Sequence, residues 1–230
     1  MRNLLRGLFR PRSRPAKRSR KVLALSSVVL LMNQAGLSEC APPGGGAVVY
    51  LTFDDGPSGY TNSVLDVLAR HGVKATFFVV GGNIDSRRST VASIRQRGHE
   101  IGNHTWSHPY LTSLSDSAVR DQLLRTEYAI GAATGRGSQC VRPPYGSVST
   151  RVRSIISGLG MNTVLWSIDT QDWRDSASVS SIRWQLDQAR DGSIILLHDG
   201  GGNQSDTVQA VDQWLAANAS HFQFRVLPNC

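Results

Sequence analysis

Two adjacent carboxylates, Asp54 and Asp55, follow an apolar and β-branched stretch that runs from Ala47 to Phe53. Such a stretch predicts a short buried strand, and the Gly56-Pro57 pair after it stops the strand and turns the chain. Neighbouring carboxylates at a buried strand end repel each other and lose hydration, a cost that a metal ion or a cation offsets. The pattern therefore suggests that Asp55 binds a metal and that Asp54 is a base beside it. An ordinary Asp-Asp-Gly turn is the alternative that this stretch leaves open.

Two imidazoles lie four residues apart in the segment His104-Thr105-Trp106-Ser107-His108. On one helical turn both rings would face the same way and could hold one metal ion. The spacing also occurs in the zinc-protease helix, but Thr105 stands where that motif has its glutamate, so this match is poor. A histidine pair by itself is often incidental. With Asp55 it gives two nitrogen ligands, one oxygen ligand and a position for water, which suits catalytic zinc.

The elements that must position these residues alternate along the chain. From Ala47 onward, about seven short apolar stretches are separated by helical patterns, which predicts an α/β fold, a distorted (β/α) barrel of about seven strands. The longest helix is predicted over 115–133 with Ser115 as its cap, and a strand over 161–168. Polar clusters follow five of the predicted strands, at Asp54-Asp55, His104, Arg142, Asp169 and His198. Because the loops at the carboxyl ends of barrel strands converge, we expect these clusters at one end of the barrel.

Five motifs resemble, in the same order, those of the NodB-like polysaccharide deacetylases, carbohydrate esterase family 4. They are Thr52-Phe53-Asp54-Asp55-Gly56-Pro57, His104-Thr105-Trp106-Ser107-His108, Arg142-Pro143-Pro144-Tyr145-Gly146, Asp169-Thr170-Gln171-Asp172-Trp173 and Leu196-Leu197-His198. One such motif alone is a weak signal, whereas five in order over residues 47–200 are a strong one. The resemblance implies a NodB homology domain and a metal-dependent hydrolase that removes acetyl groups from glycans.

The resemblance also implies a role for the residues of the first three motifs. Asp54 would be the catalytic base, and Arg142 the cation that keeps this base ionised and oriented. Tyr145 resembles the residue that borders the substrate and whose backbone N–H stabilises the oxyanion. The implied metal ligands are Asp55, His104 and His108.

For the last two motifs, the resemblance implies an acid and an apolar pocket. His198 resembles the general acid that protonates the leaving amine, because the pKa of imidazole suits this task near neutrality. Asp169 resembles its partner, which holds one ring nitrogen so that the other faces the substrate. Leu196 and Trp173 resemble the lining of the pocket for the acetyl methyl group. Asp172 is expected to be structural.

The formal net charge of +8 belongs to the amino-terminal segment. Nine of the 25 basic residues but one of the 17 acids lie in residues 1–39, so the body is formally neutral and no nucleic-acid partner is expected. A basic stretch to Lys21 and an apolar run over 22–32 are typical of a secretory signal peptide, with an N-terminal membrane anchor as the alternative. We therefore expect a secreted or cell-envelope protein, with a linker over 40–46 and the deacetylase domain over 47–230.

An exported protein is expected to pair two of its three cysteines, which are Cys40, Cys140 and Cys230. Cys140 lies two residues before Arg142 on a predicted strand and faces inward with it, which suits a buried thiol. Cys40 and Cys230 flank the body, and this pair is favoured. A bond between Cys140 and Cys230 is the alternative.

The sequence thus predicts an enzyme that deacetylates an N-acetylated glycan of the peptidoglycan or chitin type. O-deacetylation of xylan is one alternative, since the family includes such esterases, and a catalytically inactive glycan-binding module is the other. Zinc is the expected metal and cobalt its alternative. A polysaccharide is the expected partner of a monomeric protein, without membrane contact beyond an N-terminal anchor. Specificity is expected in four loops, at residues 81–88, 110–114, 174–178 and 200–206.

Overall fold

The computed structural model describes residues 46–230, so the predictions for the leader and for Cys40 lie outside the described residues. Eight strands alternate with six α-helices in this part of the chain. The strands are β1 (Val48–Asp54), β2 (Thr76–Val79), β3 (Glu100–Asn103), β4 (Cys140–Val141), β5 (Asn162–Thr163), β6 (Ile168–Asp169), β7 (Ser193–His198) and β8 (Gln223–Phe224). The helices are α1 (Thr61–Arg70), α2 (Arg88–Gln96), α3 (Asp116–Thr134), α4 (Thr150–Gly158), α5 (Val179–Leu186) and α6 (Ser205–Asn218). Within the described range, every helix is too short or too polar to cross a membrane.

Seven strands form a curled, parallel half-barrel in the order β5-β4-β3-β2-β1-β7-β6. The eighth strand, β8, pairs with the first residues of β1. Helices cover the outside of the sheet, as expected where crossover connections join parallel strands. The predicted fold class, a distorted (β/α) barrel of about seven strands, is confirmed.

The longest helix has the predicted boundaries to within one residue. Ser115 is its N-cap, because its Oγ accepts a hydrogen bond from the N–H of Ala118 at 3.3 Å. Gly135 ends the helix in the left-handed conformation, with φ of 83°. Short-range capping signals were therefore sufficient to predict this element.

The single strand predicted over 161–168 is wrong, because the segment forms β5 and β6 at opposite ends of the sheet. β5 pairs with β4, β6 pairs with β7, and four residues connect the two. A single regular strand would pair with the same neighbouring strand along its whole length. This segment instead pairs with β4 at one edge of the sheet and then with β7 at the other. Five residue steps span at most about 17 Å, so the two edges of the curled sheet lie that close together.

Side chains of β1 alternate between the outer and the inner face of the sheet. The outer set packs against the helices in the main hydrophobic core and consists of Val49, Leu51 and Phe53. The inner set is Tyr50, Thr52 and Asp54, whose register partners on β7 are Ile194, Leu196 and His198. The inner face therefore changes along the strand from apolar residues to residues that can do chemistry.

A disulfide joins Cys140 on β4 to the C-terminal residue Cys230, with 4.7 Å between their Cα atoms. The favoured Cys40–Cys230 pair is therefore wrong, and so is the expected buried thiol at Cys140. After β8 the chain returns to β4, where the N–H of Gln139 donates to the carbonyl oxygen of Cys230 at 2.8 Å. Cys140 does face inward as predicted, since it packs with Phe78 and Leu227 inside the barrel.

Candidate metal centre and active site

The register between β1 and β7 places Asp54 directly beside His198. Asp54 also pairs with Phe78 of β2, and Asn103 at the end of β3 pairs with Val141 of β4. Parallel strands that end together present their last side chains at a common edge. The predicted convergence of the polar motifs at one end of the barrel is therefore confirmed for the ends of β1, β3, β4 and β7.

Arg142 forms a buried ion pair with Asp54, as predicted. Its Nη1 donates to Asp54 Oδ1 at 2.8 Å and to Thr52 Oγ1 at 2.7 Å, and its Nη2 donates to the carbonyl oxygen of Leu165 at 3.2 Å. The guanidinium lies over the ring of Phe78, 4.2 Å from its centroid. Burial lowers the pKa of Arg142 and the adjacent carboxylate opposes this effect. Because a guanidinium stays charged in proteins, the pair holds Asp54 as an oriented carboxylate.

Three side chains converge in the way that the sequence predicted for a metal centre. Asp55 Oδ1 lies 3.4 Å from His104 Nε2 and 3.2 Å from His108 Nε2. One ligand atom from each of the three residues lies within 4.8 Å of the others. Burial raises the pKa of Asp55, but the two imidazoles that face it outweigh that effect and hold the pKa well below its usual range. Asp55 is therefore an ionised carboxylate at neutral pH.

The hydrogen bonds of the two histidines orient them as ligands. Nδ1 of His104 lies 2.7 Å from the carbonyl oxygen of Arg142, which can only accept, so Nδ1 carries the proton. In the neutral ring, Nε2 is then the nitrogen that faces Asp55 and is available to a metal ion. Nδ1 of His108 lies 3.1 Å from the hydroxyl of Tyr145, which again leaves Nε2 for a ligand. Such contacts to the other ring nitrogen are typical of metal-binding histidines.

The segment from His104 to His108 is not the helical turn that the spacing predicted. It is a loop in which Thr105 and His108 have positive φ angles of 68° and 59°. Asn103 Oδ1 accepts from the N–H of Thr105 at 2.8 Å, and Thr105 Oγ1 accepts from the N–H of His108 at 3.1 Å. These local bonds close the loop so that both rings face Asp55, although no helix is formed.

Strained backbone conformations concentrate at this site. Six residues other than glycine in the described range have positive φ, and five of them lie in the loops of the site, at Asp55, Thr105, His108, Tyr145 and Gln171. Each such conformation costs about 1–3 kcal/mol and persists where the surroundings determine it. The loop after β7 adds a close approach, since a Cβ at Gly201 would lie 2.6 Å from Asp55 Oδ2. Packing and hydrogen bonds therefore hold the predicted ligands in place.

His198 takes its carboxylate partner from Asp172 and not from Asp169. Nδ1 of His198 lies 2.7 Å from Asp172 Oδ1, while Asp172 Oδ2 accepts from the backbone N–H of His198 at 2.8 Å and from Thr207 Oγ1 at 2.9 Å. Burial lowers the pKa of His198, but the hydrogen bond and charge of Asp172 raise it to about 9. The ring is therefore protonated at neutral pH and can donate a proton.

The predicted partnership of Asp169 with His198 is wrong because of the strand register. Asp169 pairs with Leu196 on β7, two residues before His198. Its Oδ1 accepts from the N–H of Gln171 at 2.8 Å, and the positive φ of Gln171, 57°, turns the chain. That turn brings Asp172, which was expected to be structural, to the level of His198.

One cavity of about 520 Å³ joins these groups. Its lining includes the predicted base, the three predicted metal ligands and the predicted acid, and the remaining lining residues are Tyr110, Tyr145, Trp166, Asp169, Trp173 and Leu196. Tyr145 and Trp173 stand at the rim, exposed by 54% each, and Leu196 is buried. Among the hydrogen bonds of residues 46–230, none uses the N–H of Tyr145. All residues predicted to touch the substrate thus border one space.

Two further residues of the site are absent from the sequence predictions. Trp166 lines the cavity, and the guanidinium carbon of Arg142 lies over its ring, 5.7 Å from the centroid of the indole. Asp199 is fully buried next to the Gly56 turn, where its Oδ2 accepts from Thr61 Oγ1 at 2.5 Å. Burial raises the pKa of Asp199 to about 7. Trp166 lies in the segment predicted as a regular strand, and no spacing in the sequence links Asp199 to Thr61, so neither contact was predictable.

A family model described as polysaccharide deacetylase matches residues 41–164. This range is more than half of the chain and contains the first three motifs. The chain belongs to the polysaccharide deacetylase family. The last two motifs follow the matched range, and the structure brings Asp169, Trp173 and His198 of these motifs to the same cavity.

The relatives of this chain include deacetylases named for two classes of glycan, peptidoglycan and chitooligosaccharides. The peptidoglycan-N-acetylglucosamine deacetylase of Listeria monocytogenes is 42% identical over 152 residues, which are 66% of this chain and 32% of that protein. The chitooligosaccharide deacetylase of Sinorhizobium fredii is 42% identical over 158 residues, which are 68% of this chain and 74% of that protein. The match thus spans about a third of the length of the Listeria relative.

A solved structure shares the fold of this chain. The Bc1960 peptidoglycan N-acetylglucosamine deacetylase matches with a TM-score of 0.76 and 36% identity, and the match covers 80% of this chain and 87% of that one. Because the match covers four fifths of the chain, the curled half-barrel is also the fold of that deacetylase.

Proposed function

We propose that this protein is a metal-dependent deacetylase that hydrolyses the N-acetyl group of an N-acetylglucosamine polymer, of the peptidoglycan or chitin type, and releases acetate. The observation behind this proposal is that a buried carboxylate-arginine pair, a two-histidine one-carboxylate cluster and a protonated histidine face one cavity. The printed names of the relatives, peptidoglycan-N-acetylglucosamine deacetylase and chitooligosaccharide deacetylase, support the class of substrate.

The cluster of Asp55, His104 and His108 fits a divalent metal ion. Asp55 Oδ1 is buried and has no hydrogen-bond partner among residues 46–230, although two imidazole nitrogens face it. A buried carboxylate oxygen without a hydrogen-bond partner that faces two imidazole nitrogens is the expected state of a ligand set. We propose zinc, with cobalt as the alternative, since a set of two nitrogens and one oxygen suits both. A metal ion bound there polarises a carbonyl group and lowers the pKa of water.

Asp54 is the proposed base. Its carboxylate lies beside the cluster of Asp55, His104 and His108, with Oδ2 at 3.6 Å from His104 Nε2, and the ion pair with Arg142 fixes its orientation. From this position it takes a proton from the water that attacks the acetamide carbonyl. The backbone N–H of Tyr145 is the proposed donor to the oxyanion that forms on the carbonyl oxygen.

His198 is the proposed general acid. As the carbon–nitrogen bond of the tetrahedral intermediate breaks, protonated His198 gives its Nε2 proton to the nitrogen, so that a neutral amine leaves and acetate remains. Asp172 holds Nδ1 and stabilises the imidazolium before this transfer. Leu196 and Trp173 enclose the acetyl methyl group in this proposal, since both line the cavity.

We also propose that the protein is exported, to the cell envelope or beyond it, and is monomeric. The signal-like residues 1–39 support export. The disulfide between Cys140 and Cys230 supports it as well, because such bonds persist in oxidising compartments. Fractionation of the producing cells and the N-terminal sequence of the extracellular form test the location and the cleavage. Size-exclusion chromatography with light scattering tests the monomer.

Acetate release by the purified protein tests the proposed activity. The protein is stripped of metal, supplied with zinc, and given chitin oligomers, peptidoglycan and acetylated xylan side by side. We expect zinc-dependent release from an N-acetylated glycan, and none from the Asp54→Asn variant. Release from xylan alone would replace the proposal by an esterase. No release from any substrate by metal-loaded protein would contradict the proposal, as would full turnover by Asp54→Asn.

A further inference from the structure

Two tyrosines from different loops stack on each other at the rim of the cavity, beside His108. Tyr110 precedes the turn that leads into α3, and Tyr145 lies between β4 and α4. Their ring centroids are 4.0 Å apart with 16° between the ring planes. Tyr110 is 53% exposed and Tyr145 54% exposed, and both line the cavity. The packing of the domain does not account for two large apolar rings left half in water at this place.

Hydrogen bonds hold this tyrosine pair in position. The carbonyl oxygen of Tyr110 accepts from the backbone N–H of Ser113 at 3.1 Å and from its Oγ at 2.8 Å. A bond of 2.8 Å between Thr112 Oγ1 and Ser147 Oγ ties the two loops together. The Tyr145 hydroxyl lies 3.1 Å from His108 Nδ1, which anchors the tyrosine pair to the cluster of Asp55, His104 and His108. A surface ordered in this way loses little entropy when it binds a ligand.

We propose that the Tyr110–Tyr145 pair is a stacking platform for the sugar ring next to the one that is deacetylated, and that Tyr110 makes the enzyme favour longer oligomers. The inference rests on the proposed function and adds a specificity-determining residue to it. A pyranose ring has a face of C–H groups and an edge of hydroxyl groups. An exposed aromatic ring matches that face and leaves the hydroxyls in water.

The position of the pair determines which sugar it meets. An acetamido sugar whose carbonyl reaches Asp54 and His198 occupies the cavity, so the next sugars of the polymer lie at its rim. Tyr110 and Tyr145 form the rim on the His108 side. A single sugar in the cavity would leave the outer face of Tyr110 uncovered. The contribution of Tyr110 therefore depends on the length of the substrate.

Kinetics on N-acetylglucosamine oligomers, from the disaccharide to the hexasaccharide, test this inference. We expect Tyr110→Ala to lower kcat/KM for the hexasaccharide by about two- to tenfold through KM, the range of one aromatic stacking contact. For the shortest oligomer that is turned over, the same variant should match the wild type. Tyr110→Phe keeps the ring and should keep the wild-type dependence on length. Tyr128→Ala is the matched control, since this tyrosine is 80% exposed on α3 and borders a different groove.

A second readout separates binding from a structural effect on the metal cluster. Ligand-observed NMR with the hexasaccharide and metal-free protein measures contact without turnover, and Tyr110→Ala should weaken the saturation transfer to the C–H protons of the sugar next to the one in the cavity. The melting temperature and the zinc affinity of that variant should stay at the wild-type values. Wild-type turnover with the same length dependence in Tyr110→Ala would overturn this inference alone. No wild-type turnover of any N-acetylated oligomer would overturn the proposed function and this inference with it.

Discussion

Replacement of Asp172 by Asn removes the charge that holds His198 protonated but keeps the shape of the side chain. Asp172 Oδ1 faces Nδ1 of His198 at 2.7 Å, and its Oδ2 accepts from the backbone N–H of His198 and from Thr207 Oγ1. An asparagine oxygen can keep the contacts of Oδ2. The substitution therefore acts mainly on the protonation of the ring.

The size of the effect follows from the pKa of His198, which is about 9 compared with an ordinary value of 6.5. Burial lowers this pKa while the charges of Asp54 and Asp55 raise it, so without the Asp172 carboxylate we expect a pKa near the ordinary value, a change worth about 3 kcal/mol. At pH 8, roughly 90% of the wild-type ring is protonated, against about 3% in the variant. We expect kcat/KM of Asp172→Asn to be about thirtyfold lower at pH 8 and less than about twofold lower at pH 6 through this effect.

The assay is the pH dependence of kcat/KM from about pH 5 to about pH 10, with an N-acetylated oligomer as substrate. The alkaline limb reports loss of the proton from the acid, so it should lie near pH 9 in the wild type. In Asp172→Asn it should move to about pH 6.5. Asp169→Asn is the matched control, because Asp169 lines the same cavity without touching the ring, and its alkaline limb should stay in place. An unchanged limb in folded Asp172→Asn protein, or a shifted one in Asp169→Asn, would refute the reasoning.

Three further predictions concern the buried ion pair, the disulfide and the metal cluster. Arg142→Met should lower the free energy of unfolding in urea by about 3–5 kcal/mol, because it leaves Asp54 buried without its cation, and adding Asp54→Asn should restore part of the loss. Cys140→Ser combined with Cys230→Ser should lower the free energy of unfolding by about 4–5 kcal/mol, since the disulfide closes a separation of 90 residues. Turnover at about 25 °C should be retained in this double variant. Chelation should abolish acetate release, and zinc at about 100 times its Kd should raise the free energy of unfolding by about 2.7 kcal/mol in the wild type but not in Asp55→Ala.

Each of these three predictions has an outcome that contradicts it. A double variant at Arg142 and Asp54 that is no more stable than Arg142→Met would show that the unpaired carboxylate is not the cause. Equal urea midpoints with and without the two cysteines would show that the disulfide does not stabilise the domain. If zinc raised the free energy of unfolding of Asp55→Ala as much as that of the wild type, the ion would bind at a site without Asp55.

The histidine segment shows how a correct prediction of proximity can rest on a wrong local conformation. The spacing of His104 and His108 predicts one helical turn, which would bring the two rings together. The loop achieves the same proximity through two residues at positive φ and through side-chain bonds from Asn103 and Thr105. The sequence indicated that the two rings would share a ligand, but the conformation depends on contacts from outside the segment. Gln122 on α3, for example, accepts from the N–H groups of Trp106 and Ser107.

The sequence alone determined the alternation of strands and helices and the end of the barrel at which the polar motifs meet. It also predicted which residues gather there, namely Asp54, Asp55, His104, His108, Arg142 and His198. These assignments were predictable because parallel strands end at a common edge, so a polar motif just after each strand reaches the same place. The tertiary structure decided which carboxylate meets His198, which cysteine meets Cys230, and how the segment over 161–168 divides. Each of these depends on the register or path of segments far apart in the sequence, and local patterns contain no information on such registers. Asp169 and Asp172 are three residues apart, and only the pairing of β6 with β7 determines which of them reaches the acid.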